Sequence, residues 1–280
     1  MVEKARRLRA PVTAARGVAR GPQGHVTRGT TFAQRMRRVD RWLADVHGPL
    51  LRRTPRPLVV DLDFGAEPVT AVEMFHRLRA VNPELELTGL EIDPARVARA
   101  RERAAGVPGL TWEVGGFELA VPRAPTVVRA FNVLRQYREE DVPDVWAMMR
   151  SRLAEGGVLV EGTCSEDGRR AAWVDLRPEG PHSLTVAMRF GAFARPSDVA
   201  ERLPKALIHR HVPGEPVHRF LAAADAAWER FAPLAPYGPR QRWIATADAL
   251  RTEGWPVLGR AHQWRRGELS VRWDAVAPSA

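Results

Sequence analysis

The sequence has a single cysteine, Cys164, and only two lysines, Lys4 and Lys205, among its 280 residues. One cysteine cannot form an intramolecular disulfide, so a small secreted framework held by disulfides is excluded. No apolar run approaches the roughly 20 residues that a membrane-spanning helix needs. From these absences we expect a cytoplasmic protein that has no membrane partner.

Positive charge is unevenly distributed along the chain. The net charge is +10, but residues 1–56 hold 14 arginines or lysines against three acids, so the rest of the chain is close to neutral. One interpretation is a basic arm, residues 1–24, that contacts RNA or another polyanion. The alternative, which we favour, is an arginine-rich and partly disordered tail, in a chain whose preference for arginine over lysine reflects GC-rich bacterial coding.

The segment Pro57 to Glu73, PLVVDLDFGAEPVTAVE, predicts a strand, a loop and a helix. Its first apolar run suits a buried parallel strand, because both faces of such a strand are covered. A tight loop follows, and Pro68 lies close to the first helical position, where its missing N–H costs nothing. The predicted helix face is apolar at Val69, Val72, Phe75 and Leu78.

The segment Leu85 to Pro94, LELTGLEIDP, repeats this pattern. Glu91 lies near the end of the predicted strand, Asp93 is the predicted N-cap and Pro94 the first helical residue. Glu91 follows Asp61 by 30 positions, a spacing at which an acid on the second strand can reach the ribose hydroxyls of a nucleoside held over the first loop. A dinucleotide and an S-adenosyl group both satisfy this spacing.

The charge of the first loop distinguishes these two ligands. A pyrophosphate needs glycines for close backbone approach and a positive helix end. Here Asp61, Asp63 and Glu67 place three carboxylates within seven residues, and Gly65 is the only glycine. Such a loop repels phosphate and attracts a cationic cofactor with an amino group and a sulfonium. The loop therefore favours S-adenosylmethionine.

With these motifs, the chain resembles the class I S-adenosylmethionine-dependent methyltransferases over roughly Pro57 to Thr163. VVDLDFGA stands where the family has its acid- and glycine-rich first motif, and LTGLEIDP where it has the second-strand acid. LTWEVGGFEL resembles the third strand with its adenine-lining loop, and TVVRAFNVL the fourth strand with its functional loop. The resemblance implies a Rossmann-like α/β fold with a mostly parallel central sheet, helices on both faces and a C-terminal antiparallel hairpin.

The resemblance also implies S-adenosylmethionine as cofactor and a set of site residues. Glu91 would bind the ribose hydroxyls, Phe117 would line the adenine and Asn132 would lie beside the sulfur. Arg135 and Tyr137 follow in the same loop and are candidate contacts for an acidic or phenolic acceptor. No residue is assigned as catalytic. The full set of implied cofactor-binding residues is Asp61, Asp63, Gly65, Glu91, Phe117 and Asn132.

The rest of the chain is organised around this core. Thr30 or Thr31 is expected to cap a helix whose apolar positions are Phe32, Met36, Val39, Leu43 and Val46. Beyond the core, two strand patterns at 171–176 and 183–190 predict a hairpin, and residues 255–264 with 268–276 predict a last hairpin that completes the sheet. The expected regions are a basic arm (1–24), a helical extension (25–56), the cofactor-binding core (57–165), a substrate region (166–254) and the C-terminal hairpin (255–280).

The single cysteine and a group of three histidines are not expected to have a catalytic or metal-binding role. Cys164 follows the fifth strand, where RNA 5-methylcytosine methyltransferases place a cysteine nucleophile, but we favour a buried and inert thiol. His209, His211 and His218 lack a cysteine or nearby carboxylate that would complete a ligand set, so no metal is expected.

The sequence therefore predicts a methyltransferase that transfers a methyl group directly to an unidentified acceptor. A small-molecule acceptor is slightly favoured over RNA, which the basic arm could contact. An inactive nucleic-acid-binding protein on a methyltransferase-like fold remains as the alternative from another class. The sequence does not indicate an oligomeric state.

Overall fold

The computed structural model describes residues 22–27, 29 and 31–279. The predicted basic arm therefore lies outside the described residues except for its last three positions, as does Thr30. The strands of the described part are β1 (Leu58–Leu62), β2 (Glu86–Glu91), β3 (Leu110–Val114), β4 (Val127–Phe131), β5 (Val158–Cys164), β6 (Arg170–Arg177), β7 (Gly180–Met188), β8 (Val257–Leu258) and β9 (Glu268–Arg272).

Helices cover both faces of the sheet that these strands form. They are α1 (Arg37–Val46), α2 (Gly48–Arg53), α3 (Val69–Arg79), α4 (Pro94–Arg103), α5 (Val142–Arg150), α6 (Lys205–Ile208), α7 (Pro216–Arg230), α8 (Pro239–Thr252) and α9 (Ala261–Trp264). Short 3₁₀ segments lie at Leu134–Gln136, Glu139–Asp141, Pro196–Arg202, Ala232–Tyr237 and Trp273–Ala275. No helix in the described ranges is both long enough and apolar enough to cross a membrane.

The nine strands form one sheet in the order β3-β2-β1-β4-β5-β6-β7-β9-β8. Neighbours among β1 to β5 run parallel, whereas each pair from β5 outward runs antiparallel. The predicted Rossmann-like α/β fold with a C-terminal antiparallel pair is confirmed. The strand order reverses at β1, between β2 and β4, and open sheets of this type bind ligands outside the carboxyl ends of the strands at that point.

Local sequence explains the first two strand–helix units. All five residues of β1 are buried, as expected for a covered parallel strand. Helix α4 begins at Pro94, and the Asp93 side chain accepts a hydrogen bond from the Ala95 N–H at 2.9 Å, which confirms the predicted cap. The buried stripe of α3 differs slightly from the prediction, since it runs through Ala71, Met74, Phe75 and Leu78.

Two apolar clusters lie on opposite faces of the sheet. Residues of α1, α3 and α4 pack on one face, with Leu43 and Phe75 near its centre. Residues of α5, α7 and α8 pack on the other, with Phe220 and Trp243 fully buried. Because both faces are covered, only the ends of the strands remain available for ligands.

The N-terminal helix begins later than the sequence predicts. Helix α1 starts at Arg37, and Phe32 is 53% exposed rather than buried. The Thr31 hydroxyl donates to the carbonyls of Gly29 and Phe64 instead of capping the helix. Residues 33–36 form turns before α1, and Glu73 of α3 accepts hydrogen bonds from the main chain and the side chain of Gln34 in this segment.

The predicted hairpin at 171–190 is confirmed as β6 and β7, but its place in the sheet differs from the expectation. It pairs directly with β5, so the last strands extend the sheet beyond β7. The chain reverses at once after β5, because Ser165 N–H bonds to the Arg170 carbonyl at 2.8 Å. The last pair, β8 and β9, is antiparallel as predicted, although α9 lies between its strands.

Candidate cofactor and substrate site

A cavity of about 480 Å³ opens at the carboxyl ends of β1, β4 and β5. This is the edge at which the strand order reverses, where an open α/β sheet binds its ligands. Asp61 and Cys164 line it from within β1 and β5, and the loops that follow these strands contribute further lining residues, among them Asp63, Gly65, Asn132 and Glu166.

A buried arginine forms the floor of this cavity. Arg129 of β4 is fully buried and donates two hydrogen bonds to Asp61, at 2.8 and 2.6 Å. It also bonds to the buried carboxylate of Asp40 on α1. Burial lowers the pKa of Arg129, but Asp61 and Asp40 outweigh that effect and raise it. Asp61 therefore lines the predicted site, yet both its oxygens hold Arg129.

The first loop is less negative than its sequence suggests. Glu67 pairs with Arg103 at 2.5 Å. Burial, reinforced by a hydrogen bond and the charge of Glu91, raises the pKa of Asp63 to about 8, so the Asp63 carboxyl is largely protonated at neutral pH. With Asp61 paired to Arg129, none of the three predicted loop carboxylates is an isolated negative charge.

Glu91 lies at the predicted position, at the end of β2, and is fully buried. One of its oxygens accepts bonds from the backbone N–H groups of Ile92 and Asp93, at 3.0 and 3.3 Å. The other accepts from the Gly65 N–H at 3.2 Å and from Arg96 at 3.3 Å. The chain's own donors thus occupy the carboxylate that was predicted to hold ribose hydroxyls.

Residues 22–27, 29 and 31, here called the N-terminal strap, lie across the loops that follow β1 and β3. The Gln23 N–H donates to Glu118 at 2.6 Å, and the Gln23 carbonyl accepts from the Phe117 N–H at 2.9 Å. A Cβ on Gly116 would lie only 2.0 Å from the Gln23 oxygen. Glycine at 116 therefore allows this close approach of the strap.

The strap also fills the space beside Phe117. His25 stacks on Tyr137, with ring centroids 5.3 Å apart, and Tyr137 meets Phe117 edge to face at the same distance. A cavity of only about 20 Å³ remains there. Leu62 and Asp63 line both this small cavity and the large one, so the two are neighbours.

The two candidate acceptor contacts lie in different places. Arg135 lines the large cavity, whereas Tyr137 is buried beneath the strap. Two further arginines, Arg35 and Arg202, line the same cavity as Arg135. Burial and then repulsion from Arg202 lower the pKa of Arg135. These three arginines therefore share the cavity lining, and one of them, Arg202, lies 3.5 Å from Glu201.

Asn132 directly follows β4 and has a left-handed backbone conformation, with φ of 62°. Its side chain contacts the end of β5. Its side-chain oxygen accepts the Cys164 N–H at 2.9 Å, and its amide lies 3.4 Å from the Cys164 sulfur. The predicted burial of Cys164 is confirmed, since the residue is 2% exposed. Among the described residues, no group of three histidine, cysteine or acidic side chains is placed to hold a metal ion.

Several site residues were missed by sequence reasoning. One of them is Glu118, which follows the end of β3 in the string GGFE, two residues beyond Gly116. Arg129 stands within an apolar strand, where a charged residue requires a buried partner. The contacts of the strap had no comparable signal, because they join segments far apart in the sequence, such as Gln23 and Glu118.

No protein-family model and no curated protein matches the chain. Solved structures do match parts of it. The CMeT domain of the citrinin polyketide synthase is 18% identical, with 44% of this chain and 34% of that chain covered and a TM-score of 0.38. The N-methyltransferase NodS from Bradyrhizobium japonicum, in complex with S-adenosyl-L-homocysteine, is 18% identical, with 44% and 66% covered and a TM-score of 0.30.

A third match is SAM-bound CalS10, an amino pentose methyltransferase from Micromonospora echinaspora. It is 19% identical, with 54% of this chain and 64% of that chain covered and a TM-score of 0.32. The chain thus spans between 34% and 66% of the length of these three structures. All three TM-scores are below 0.5.

Proposed function

We propose that this protein is an S-adenosylmethionine-dependent methyltransferase whose acceptor is a small anionic molecule. The observation that carries the proposal is the pair of groups that follows β3. The Phe117 N–H and the Glu118 carboxylate lie side by side. The Phe117 N–H donates to the Gln23 carbonyl, and the Glu118 carboxylate accepts from the Gln23 N–H. The Watson–Crick edge of adenine offers the same pair, an amino donor next to a ring-nitrogen acceptor.

The ribose and the methionine part of the cofactor would lie at the neighbouring loops that follow β2 and β1. Glu91 would hold the ribose hydroxyls once Arg96 turns away from it. The methionine part would lie in the cavity of about 480 Å³, a volume within the range of roughly 300–1,000 Å³ that is usual for small-molecule pockets. The adenine would lie where only about 20 Å³ is open, so the cofactor fits after the strap moves aside.

When bound, S-adenosylmethionine would supply a methyl group on a sulfonium; a lone pair of the acceptor atom would form the new bond to that carbon as the S–CH3 bond breaks, and S-adenosylhomocysteine would leave. The chain mainly has to orient the two reactants and exclude water. Arg35, Arg135 and Arg202 would bind a carboxylate or phosphate of the acceptor, because guanidinium groups match both anions geometrically. Their presence in the lining of one cavity supports an acidic small molecule over a neutral one.

The filled adenine subsite favours one other candidate, a protein that has lost turnover and keeps the strap permanently docked. The two candidates differ in a simple measurement. Calorimetry with S-adenosylhomocysteine should show one binding site per chain, and S-inosylhomocysteine should bind at least about tenfold more weakly, because its purine edge reverses the donor and acceptor. A chain that binds neither compound at millimolar concentration, even without residues 1–26, would support the inactive candidate.

A matched pair of variants tests the ribose contact. Glu91→Ala should abolish cofactor binding, because the residue is the buried acid at the end of β2. Glu113→Ala removes a half-exposed acid from the neighbouring strand and should leave binding unchanged. Equal affinity in Glu91→Ala and the parent chain would contradict the proposed cofactor placement.

A further inference from the structure

A second large cavity, of about 730 Å³, lies on the other side of the turn that joins β5 to β6. Five segments surround it: helix α1, the β5–β6 turn, the end of β7, the start of α8 and the loop before β9. Two acids, Asp167 and Glu268, line it. Eight arginines line the same cavity, here called the arginine groove: Arg37, Arg38, Arg41, Arg169, Arg189, Arg240, Arg265 and Arg266.

The two acids neutralise only part of this charge. Asp167 lies 3.2 Å from Arg169, and Glu268 lies 3.1 Å from Arg266. The other six arginines make no salt bridge within residues 22–27, 29 and 31–279. One of them, Arg38, donates to the Arg266 carbonyl at 2.9 Å, which uses a donor without cancelling charge.

This arrangement differs from the arginine surface elsewhere in the chain. Outside the groove, exposed arginines such as Arg101 and Arg230 pair with acids across neighbouring elements, at 2.8 and 2.5 Å, whereas others such as Arg52 and Arg53 make no salt bridge within the described residues. The groove is distinct because four segments bring to a single cavity six arginines that make no salt bridge in the described part of the chain.

Mutual repulsion among these groups acts on the pKa of Arg38. Burial lowers the pKa of Arg38, and Arg189, Arg37 and Arg41 lower it further, against the opposing effect of Glu268. Like charges held this close destabilise the fold unless an anion lies among them. The groove thus carries an electrostatic cost that a bound anion would offset.

We propose that the arginine groove binds a small ligand that carries two or more phosphate groups. Guanidinium groups bind phosphate oxygens in bidentate fashion, and several converging forks favour multiple phosphates over a single one. The groups surround one cavity rather than following an extended track, which favours a compact polyphosphate over a nucleic acid strand. Residues 1–21 contain only one acid, Glu3, and therefore little negative charge that could compete with a phosphate ligand for the groove.

The groove is separate from the proposed methyl-transfer site, although the two cavities are neighbours. Gln34 and Arg37 line the groove, whereas Arg35 and Met36, between them in the chain, line the other cavity. The main-chain oxygen of Arg35 packs against Gly168, at the tip of the shared turn. Binding in the groove can therefore be tested without the methyl donor and without any acceptor.

Isothermal titration calorimetry of the full chain with inorganic tripolyphosphate, in about 100 mM salt to screen diffuse attraction, tests the proposal. We expect saturable binding that the double variant Arg41→Gln/Arg189→Gln weakens by at least about tenfold. Both side chains are exposed, so the fold should persist. Relief of repulsion should also leave the unfolding temperature of the double variant unchanged or raised.

The matched control is Arg52→Gln/Arg53→Gln, which removes the same charge from two exposed positions outside the groove. It should leave tripolyphosphate binding within about twofold of the parent, since screening removes most long-range effects. Equal weakening in the two double variants would show diffuse attraction and overturn the proposal. So would the absence of tripolyphosphate binding, or a single-stranded RNA oligonucleotide that binds the groove more tightly per phosphate than tripolyphosphate does.

Discussion

Arg129 and Asp61 are register partners on the neighbouring parallel strands β4 and β1, and they form a bidentate ion pair in the interior. Asp40 of α1 approaches the same guanidinium from the other side. The arginine thus joins two strands and a helix directly beneath the candidate site. Burial raises the pKa of Asp40, while Arg129 and Arg77 counteract that effect, so the ionised form of Asp40 depends on its arginine partners.

Replacing Arg129 should therefore destabilise the protein strongly. Arg129→Leu leaves the buried Asp61 without its cation and Asp40 with Arg77 as its only arginine partner, and breaking a buried pair in this way costs roughly 3–5 kcal/mol in the free energy of unfolding. Urea denaturation at neutral pH measures the loss. As a control, Arg103→Leu breaks the largely exposed pair with Glu67 and should cost less than about 1 kcal/mol. Similar losses in the two variants would contradict the role assigned to Arg129.

The sequence predicts the local units of this fold better than their long-range arrangement. The strand–loop–helix units around Asp61 and Glu91 follow from apolar runs, caps and prolines, all of which act within a few residues. The sequence indicates only that Arg129 belongs to an apolar strand, because its two partners lie 68 and 89 positions earlier in the chain. The docking of Gln23 against Glu118, 95 positions away, depends on the same kind of contact.

The strap should compete with the cofactor, because the Gln23 peptide occupies the groups proposed for adenine. Gln23→Pro removes the N–H that donates to Glu118. A weaker strap raises the fraction of open sites, and the apparent dissociation constant for S-adenosylmethionine should fall in proportion. Calorimetry measures the change, with Val26→Ala as the control at a half-exposed position. Weaker binding in Gln23→Pro would show instead that the strap closes over bound cofactor.

Glu161 should make stability depend on pH. The residue lies in β5, and burial raises its pKa to about 8 from 4.5, an effect that Trp146 only partly opposes. Between these values the native state holds a proton that the unfolded state has released. The free energy of unfolding should therefore fall as pH rises, by up to about 1.4 kcal/mol per pH unit for one proton.

Glu161→Gln isolates that contribution, because glutamine has nearly the same shape and does not titrate. Chemical denaturation between about pH 5.5 and 7.5 should give a shallower decline of stability in the variant than in the parent chain. Some decline should remain, since the pKa of Glu268 is raised to about 7 and that of Asp63 to about 8. An unchanged slope would mean that Glu161 is ionised in the native protein.

The turn between the two cavities offers a last test. Gly168 and Gly156 share a φ of 65°, so alanine strains the backbone similarly at both positions. A Cβ at Gly168 would lie 2.1 Å from the Arg35 carbonyl oxygen, whereas a Cβ at Gly156 meets nothing within 4 Å. Gly156→Ala should cost about 1–2 kcal/mol in the free energy of unfolding, and Gly168→Ala should cost more, because the turn or the segment before α1 must shift. Urea denaturation compares the two, and equal losses would show that the segment around Arg35 yields freely and does not hold the wall between the cavities.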